Sequence, residues 1–543
     1  MRGAWLGLLA AALAAGGPST VPERTAFHRT STVAEVRAFM DGMGLHRYRP
    51  EGAPAVTETG APLLAWRLPA TGPHPLRVYL NANIHAGEVE GKEAVQELAR
   101  ELVEGEHPGL RKRLEFVFMP CYNAEGTDAL DPAIRRHQPN PESGVGRRET
   151  TRGLDLNRDA MKAQAPNTRW FLAMLRDFDP DAVFDLHTTN GSYHGFHLTY
   201  APALHPATPA PVLEANRRML REVRERLDQE GLPTYDYGNF EPEARTGAGW
   251  SAAGGPDPQR WETYDWLPRY LTNYAGLTGR LAVLSEAYVY RSFPERIADT
   301  RQFVLACLDW MAAHPSEVAT ARRGARLLPE ALPLSAEMVA TERHGFDLVD
   351  PIKNDEGRVL GEKSRRHLEL PAHTAFQGLG AVALPQGYLV DAAYAFRVKP
   401  LLEAHGIKVL PGSARPKGVV TGHFVETGRT LAKAPFQGVF ALDLQGRWSA
   451  EEPHRPMQQR WAEADLDRAL YVPLVPATAR AAFYLLDPRS PDGLVHWGFF
   501  AETLLRNDGS WGEPPRFPIL AVGPPPESPV AAPPANGAFS RAE

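Results

Sequence analysis

Residues 76–104, LRVYLNANIHAGEVEGKEAVQELARELVE, hold the pattern that decides the fold class. The apolar run at 76–83 predicts a buried strand. Residues 90–104 predict an amphipathic helix, because apolar side chains recur there at helical spacing. Short apolar strands and amphipathic helices continue to alternate as far as residue 311. We therefore predict an α/β fold with a mixed, mostly parallel central sheet that helices cover on both faces.

The remaining predicted elements divide the chain into two regions. The α/β region has further strands at 114–121, 181–186 and 280–288, and helices at 168–178, 212–227 and 294–311. After about residue 325 the segments become shorter and richer in proline, and we predict strands at 376–390 and 479–486 with one helix at 395–405. The predicted organisation is a signal peptide at 1–17, an α/β domain at 25–322, a smaller β-rich domain at 325–522 and a disordered, proline-rich tail at 523–543.

Length and composition exclude several classes of protein. A chain of 543 residues is long enough for two or more domains. Its net charge of −6 argues against a general nucleic-acid or membrane-surface binder, which would need a basic patch. Two cysteines, Cys121 and Cys307, are too few for a disulfide scaffold or a cysteine-built zinc site.

The amino terminus has the pattern of an export signal. Arg2 precedes an apolar run at 4–15, and small residues and Pro18 follow it. The run is shorter than the roughly 20 residues that cross a bilayer, and no later stretch reaches that length. We therefore expect an extracytoplasmic protein, periplasmic or secreted, without a membrane span.

Three side chains with metal-binding chemistry follow two of the predicted strands. His85 and Glu88 stand three positions apart, so they share one side of a helical turn, and His187 comes directly after the strand at 181–186. The carboxyl ends of parallel strands meet at one edge of a sheet, so the two segments can converge. Two imidazoles and one carboxylate are a catalytic zinc set that leaves a fourth position for water. We predict one Zn²⁺ per chain at these residues.

Two further segments carry candidate catalytic groups. The segment RRETTRGLDLNRD at 147–159 places Asn157 and Arg158 side by side, and such a pair can bind a carboxylate, although a surface ion pair is the alternative. Glu286 lies inside the apolar strand at 280–288, where a carboxylate is rarely buried without a partner. Near a zinc-activated water it would act as general base. The alternative is a structural ion pair with an arginine such as Arg280 or Arg296.

The order of these motifs resembles the zinc carboxypeptidase family, the carboxypeptidase A-like peptidases of family M14. The segments HAGE, GLDLNR and DLH and the late strand glutamate occur in the family's order over roughly residues 30–320, and the segment at 484–500 resembles a carboxy-terminal extension found in a bacterial branch. The resemblance implies a carboxypeptidase-like fold and a zinc-dependent enzyme that removes C-terminal residues from peptides with a free terminal carboxylate.

The resemblance also implies roles for single residues. The zinc ligands would be His85, Glu88 and His187, the general base Glu286, and the carboxylate-binding pair Asn157 and Arg158. Arg148 would stabilise the oxyanion, with Arg135 and Arg136 as competing candidates. The tyrosine of the family's mobile loop would be Tyr264 or Tyr270.

One departure from the family's pattern leaves other functions open. Asp159 and Ala160 follow the Asn-Arg pair, where family members usually carry Asn-Phe or a similar pair, so Asp159 would either weaken carboxylate binding or orient Arg158. An aspartoacylase-like zinc amidohydrolase acting on N-acyl amino acids shares the same metal motifs and is the nearest alternative. A non-catalytic extracytoplasmic peptide-binding protein is the second alternative. The oligomeric state does not follow from the sequence.

Overall fold

The computed structural model describes residues 17–189, 191–241, 258–451, 461–505 and 516–523, so the predicted signal peptide and tail lie outside the described residues except for Gly17 and Gly523. The chain divides into two compact units. The first unit contains the described residues up to Ala325 together with Val339–Ala375. The second contains Arg326–Met338 and the described residues from Phe376 onward.

The first unit is built on an eight-stranded sheet. Its strands, in spatial order, are β1 (His46–Tyr48), β2 (Ala65–Leu68), β4 (Leu114–Met119), β3 (Leu76–Ala82), β5 (Ala182–Thr188), β10 (Leu281–Ala287), β6 (Leu198–Ala201) and β7 (Thr234–Asp236). The central strands β4, β3, β5 and β10 are parallel, as are β6 and β7, and the other three pairings are antiparallel. The predicted mixed, mostly parallel sheet is confirmed.

Ten described α-helices belong to this unit. They are α1 (Val21–Arg24), α2 (Val33–Gly42), α3 (Glu90–Glu104), α4 (Pro108–Arg113), α5 (Ala124–Thr127), α6 (Pro166–Asp177), α7 (Ala210–Gln229), α8 (Leu271–Leu277), α9 (Phe293–Ala313) and α10 (Pro315–Gly324). Helix α3 has the bounds that the apolar periodicity predicts, and α6, α7 and α9 start or end within two residues of prediction. None of the helices in the described ranges is long and apolar enough to cross a bilayer.

Alternation along the central strands separates the two faces of the sheet. On one face, Val78 and Phe184 belong to a core formed with apolar residues of α2, α3, α7 and α9. On the other face, the Tyr79 ring lies 6.1 and 6.0 Å from those of Trp170 and Phe171 in α6. Helices therefore cover both faces, as predicted. Val183 pairs with Tyr79, so the two side chains share a face. His187 lies four positions beyond Val183 on the same strand and therefore points to this face, which α6 covers.

A second sheet of this unit changes the predicted domain division. Its strands, in spatial order, are β12 (Glu342–Lys353), β13 (Val359–His373), β9 (Arg260–Glu262) and β8 (Asn239–Glu241). The β12–β13 hairpin lies beyond the predicted boundary at 322–325, yet it belongs to the first unit because Ala372 and His373 pair with Trp261 and Glu262. The β-rich unit therefore excludes this hairpin.

The second unit contains the separate β-rich sheet that the sequence predicts. Its strands, in spatial order, are β16 (Leu410–Pro411), β19 (Leu470–Pro473), β15 (Gly387–Val390), β20 (Ile519–Val522), β17 (Thr421–Leu431) and β18 (Leu442–Ser449), and β11 (Ala331–Val339) pairs separately with β14 (Ala375–Ala383). Its helices are α11 (Ala395–Ala404), α12 (Glu463–Arg468), α13 (Ala479–Leu486) and α14 (Ala501–Leu504).

Two predictions for the second unit need correction, and one is confirmed. The predicted strand at 479–486 is wrong, because this segment forms helix α13. Nearly every residue in it is buried, and a short apolar run buried on all sides has no periodicity that distinguishes a strand from a helix. The predicted strand at 376–390 is two strands, β14 and β15, whereas the helix at 395–405 is confirmed as α11.

Candidate active site

The candidate metal ligands lie where β3 and β5 end. Strand β3 ends at Ala82, and the chain turns through Asn83, whose φ is +61°. The Asn83 Nδ2 group donates to the Glu88 carbonyl at 2.9 Å and thereby fixes the loop that carries His85 and Glu88. His187 lies inside β5, one residue before its end, rather than directly after the strand as predicted. All three ligand side chains are buried.

The structure brings these three side chains together. The His85 Nδ1 atom lies 3.2 Å from Glu88 Oε1, and the His187 Nδ1 atom lies 2.9 Å from Glu88 Oε2. One potential ligand atom from each residue lies within 4.8 Å of those of the other two. The geometry therefore supports the predicted convergence of a pair of imidazoles and one carboxylate.

In each imidazole, the ring nitrogen that does not face Glu88 contacts the carboxylate of an aspartate. The His85 Nε2 atom lies 3.1 Å from Asp155 Oδ1, and the His187 Nε2 atom lies 2.8 Å from Asp185 Oδ2. A carboxylate on one ring nitrogen fixes the tautomer that leaves the other nitrogen unprotonated toward a metal. Both Nδ1 atoms face Glu88, so this donor set fits a zinc ion at the centre of the three residues.

The charges of the candidate metal ligands compensate one another. Burial alone would raise the pKa of Glu88, but the positive charges of His85 and Arg135 hold it well below its ordinary value. Burial alone would lower the pKa of His187, but the carboxylates of Asp185 and Glu88 raise it well above its ordinary value. The carboxylates and imidazoles of the site therefore stabilise one another's charged forms.

Glu286 lies beside this centre on the neighbouring strand. It pairs in register with His187 on the parallel strands β10 and β5, so both side chains point to the same face. Burial raises the pKa of Glu286 to about 8, although the nearby His187 lowers it. Neither arginine of the alternative interpretation binds it. Arg280 pairs with Asp179 at 3.0 Å, and Arg296 lies 3.7 Å from Glu90.

The three candidate arginines occupy different places. Arg148 lines the cleft, binds Asp155 through two nitrogens at 2.9 and 3.2 Å, and places Nη1 3.1 Å from His85 Nδ1. Arg135 donates to Glu88 Oε1 at 2.6 Å, whereas Arg136 is exposed. Arg148 and Arg135 are thus both near the metal ligands, and of the two only Arg148 is among the described residues that line the cleft.

Asn157 and Arg158 lie on a short 3₁₀ turn, Leu156–Arg158, within the predicted loop. The Asn157 Oδ1 atom accepts a hydrogen bond from the Leu271 amide at 2.9 Å, so its Nδ2 group is the end that can donate to a ligand. The Arg158 guanidinium lies 4.2 Å from the centre of the Tyr270 ring. Both side chains line the cleft that contains the metal ligands and Glu286.

Asp159 has a structural role that the sequence interpretation missed. Its carboxylate binds the buried Lys162 at 3.1 Å and accepts from the amides of Gln164 and Ala165 at 3.0 and 2.9 Å, just before helix α6. These contacts neutralise its charge and account for both of its oxygens. The departure from the family's pattern therefore supports the start of α6 rather than orienting Arg158.

Three tyrosines line the cleft: the predicted Tyr264 and Tyr270, and Tyr237. The Tyr264 hydroxyl lies 3.1 Å from Thr272 Oγ1 and donates to Asn273 Oδ1 at 3.3 Å, and the Tyr237 and Tyr264 rings stand 5.9 Å apart. Burial raises the pKa of Tyr237 and of Tyr264 above the ordinary range, so both hydroxyls keep their protons. These tyrosines form a hydrogen-bonding, aromatic wall beside Arg158.

Sequence reasoning missed five residues of the site, namely Asp155 and Asp185 as partners of the imidazoles, and Thr188, Tyr237 and Leu284 in the cleft lining. A signal for Asp185 was present, because it stands two positions before His187 and side chains at that spacing share one face of a strand. The contact between Asp155 and His85 joins residues 70 positions apart and has no comparable local signal.

Comparison with solved structures finds similarity over about half of this chain. A metallo-carboxypeptidase from Burkholderia cenocepacia shares 15% identity, with 54% of this chain and 70% of that chain covered and a TM-score of 0.38. One from Pseudomonas aeruginosa, solved with (2-guanidinoethylmercapto)succinic acid, shares 15% identity over 53% and 70%, with a TM-score of 0.38. Bovine thrombin-activatable fibrinolysis inhibitor, solved with tick carboxypeptidase inhibitor, shares 14% identity over 54% and 98%, with a TM-score of 0.36.

No curated protein matches the chain. One family model does, and its description is zinc carboxypeptidase. The matched residues, 56–194, contain the three candidate metal ligands and the Asn-Arg pair, and Glu286 lies beyond them. Through residues 56–194 the chain is matched to the zinc carboxypeptidase family, peptidase family M14.

Proposed function

We propose that this protein is a zinc-dependent metallocarboxypeptidase that removes C-terminal residues from peptides. The observation that carries the proposal is that one cleft contains the converging His85, Glu88 and His187, the buried Glu286 and the Asn157–Arg158 pair. A metal triad, a proton-transferring carboxylate and a carboxylate-binding pair are the parts that hydrolysis at a free peptide terminus needs.

The metal site would hold one zinc ion per chain on His85, Glu88 and His187. Bound zinc polarises a carbonyl group and makes water acidic enough to lose a proton near neutral pH. Asp155 and Asp185 hold the two imidazoles with Nδ1 toward this position. Proton transfer and substrate binding would depend on other residues of this chain.

Glu286 would move the proton. Its pKa of about 8 in the metal-free protein is close to neutral pH, and a nearby cation lowers such a value, so the carboxylate can take a proton from the attacking water. The same carboxyl group then gives the proton to the amine of the leaving residue, and Glu286 is restored as a carboxylate.

The substrate terminus would be bound by Asn157 and Arg158, which line the same cleft. Arg158 offers planar donors for a carboxylate, and the Asn157 Nδ2 group can donate as well, because Asn157 Oδ1 already accepts from the Leu271 amide. Arg148 would stabilise the negative charge that develops on the carbonyl oxygen of the cleaved bond. The tyrosine wall would contact the C-terminal residue, and Tyr264 is our candidate for a direct hydrogen bond.

The test is hydrolysis of matched peptides with a free or an amidated C-terminus, each with and without a chelator. We expect turnover of the free peptide only, abolished by chelation and restored by zinc. Turnover of N-acyl amino acids in preference to peptides would instead identify an aspartoacylase-like amidohydrolase. Peptide binding without metal-dependent turnover would identify a non-catalytic binding protein.

We also propose that the enzyme acts outside the cytoplasm. The support is the charged and then apolar pattern at residues 2–15. Expression of the full chain and of a chain that starts at residue 18, followed by cell fractionation, tests this. Export of the first and retention of the second is the expected result, and equal distribution of the two contradicts it.

A further inference from the structure

A buried ion pair contacts Thr188, a residue that lines the cleft of the candidate metal site. Glu90, the first residue of α3, and Arg296, in the first turn of α9, approach to 3.7 Å, and both side chains are 1% exposed. The atoms that face each other, Glu90 Oε2 and Arg296 Nε, form no hydrogen bond within the described part of the chain. Two charges buried in this way need a role that offsets the cost of removing them from water.

Glu90 reaches the metal site through Thr188. The Thr188 hydroxyl donates to Glu90 Oε1, and the Thr188 amide donates to Glu88 Oε2 at 3.2 Å. Glu88 Oε2 is also the oxygen that His187 Nδ1 contacts at 2.9 Å. A shift of Thr188 would therefore move a hydrogen bond of one metal ligand and the backbone of another.

Arg296, the other member of the ion pair, contacts the chain just after β10. Its Nη1 group donates to the carbonyl of Val289 at 2.8 Å, two residues after β10, the strand that carries Glu286. The Val289 amide in turn donates to the Thr189 hydroxyl at 3.2 Å. The ion pair thus connects the ends of β5 and β10, because Glu90 contacts Thr188 and Arg296 contacts Val289.

The start of α3 is close enough to β5 for this contact because of a glycine. A Cβ atom on Gly91 would lie 2.9 Å from Leu186 Cβ and 3.1 Å from the Leu186 carbonyl oxygen. Only a residue without a side chain allows the helix to approach this closely, and Glu90 is thereby brought to Thr188.

We propose that Glu90 is a positioning residue of the metal site, which sets the place of Glu88 and His187 through Thr188 and of the Glu286 strand through Arg296. The proposal rests on the zinc site of the proposed function, and it concerns metal binding rather than peptide turnover. Partners that orient metal ligands are typically worth about 10- to 100-fold in metal affinity.

The experiment measures the Kd for zinc of the metal-free full-length protein by competition with a chromogenic chelator, together with the thermal midpoint of the metal-free form. Glu90→Gln is the first variant. Glu93→Gln is the matched control, because Glu93 lies on the same helix and is fully buried. Its carboxylate pairs with the Lys92 ammonium group at 2.7 Å, and neither residue lines the cleft. We expect zinc affinity to fall about 10- to 100-fold in Glu90→Gln and to stay within about threefold of wild type in Glu93→Gln, at comparable losses of thermal stability.

Thr188→Val keeps a β-branched side chain of similar shape and removes only the hydroxyl, so it serves as a second variant if Glu90→Gln does not fold. It should also weaken zinc binding, and in the double variant the two losses should not add, because both act through the same contact between Thr188 and Glu90. Unchanged zinc affinity in the folded variants, or an equal loss in Glu93→Gln, would overturn the proposal. Wild-type protein that binds zinc but cleaves no peptide would refute the proposed function alone.

Discussion

Glu286 stands in register with His187 on adjacent parallel strands, so the proposed general base and a proposed metal ligand share one face of the sheet at neighbouring positions. This pairing joins the two halves of the site. The candidate metal ligands come from the ends of β3 and β5, and the candidate proton-transferring group comes from β10. Because both strands lie in the rigid centre of the sheet, little reorganisation is needed to hold Glu286 beside a bound metal.

The Glu286→Gln substitution should separate chemistry from metal binding. Glutamine keeps the size of the side chain but cannot accept the proton, so we expect kcat to fall about 10²- to 10⁴-fold. Zinc content, measured by elemental analysis, should stay at one per chain, because Glu286 is not among the three ligands. Loss of zinc in this variant would instead make Glu286 a ligand.

Zinc binding should release protons from the candidate metal ligands. The carboxylates of Asp185 and Glu88 raise the pKa of His187 well above its ordinary value, and the ring nitrogen that binds zinc must be free of its proton. We expect release of at least one proton per zinc, and weaker zinc binding as the pH falls. Isothermal titration in buffers of different ionisation enthalpy measures this number, and a value of zero would contradict the assignment.

The Asp185→Asn substitution should weaken the metal site from outside it. The Asp185 carboxylate accepts from His187 Nε2 at 2.8 Å and from Asn81 Nδ2 at 2.8 Å. An amide in its place removes the charge that fixes the His187 tautomer, so we expect zinc affinity to fall about 10- to 100-fold. Asp347→Asn is a suitable control, since Asp347 contacts the exposed His367. Equal affinities in the two variants would argue against this role.

Arg148 and Arg135 should differ in what their loss changes. Arg148 lines the cleft, so Arg148→Lys should lower kcat about 10²- to 10³-fold at saturating zinc. Arg135 holds Glu88 at 2.6 Å, so Arg135→Lys should mainly weaken zinc binding. Steady-state kinetics and zinc titration of both variants test this, and the reverse pattern would assign the oxyanion to Arg135.

The Asp159→Ala substitution should affect stability rather than specificity. It leaves the buried Lys162 without the carboxylate that lies 3.1 Å away and removes the acceptor for two amides before α6. We expect a loss of about 3 kcal/mol in the free energy of unfolding, because one charge of a buried pair is left behind. Asp309→Ala, which breaks an exposed pair with Arg226, should cost less than about 1 kcal/mol. Urea unfolding compares the two, and equal losses would contradict the buried role of Asp159.

Sequence periodicity and the strand-end rule explain the parts that were predictable. Helix α3 matches its predicted bounds because Val95, Leu98 and Leu102 recur at helical spacing and all belong to the core. His85 and His187 could be placed together because parallel neighbouring strands end at one edge. These inferences need only local patterns and the geometry of a sheet.

The remaining features depend on tertiary contacts that leave no local pattern. The β12–β13 hairpin joins the first unit through the pairing of Ala372 with Trp261, which lie more than one hundred positions apart. The contact between His85 and Asp155 and the ion pair between Glu90 and Arg296 likewise join distant segments. Burial of 479–486 on all sides removed the periodicity that would have identified a helix.

A structure of the zinc-loaded protein, with the metal located by anomalous scattering, tests the central claim most directly. We predict a single strong peak bonded to His85 Nδ1, a Glu88 oxygen and His187 Nδ1. A second group that could hold a cation, Glu101, Glu106 and His107, provides an internal comparison far along the chain from His187. Zinc at that group, with His85 and His187 still bonded only to carboxylates, would contradict the account.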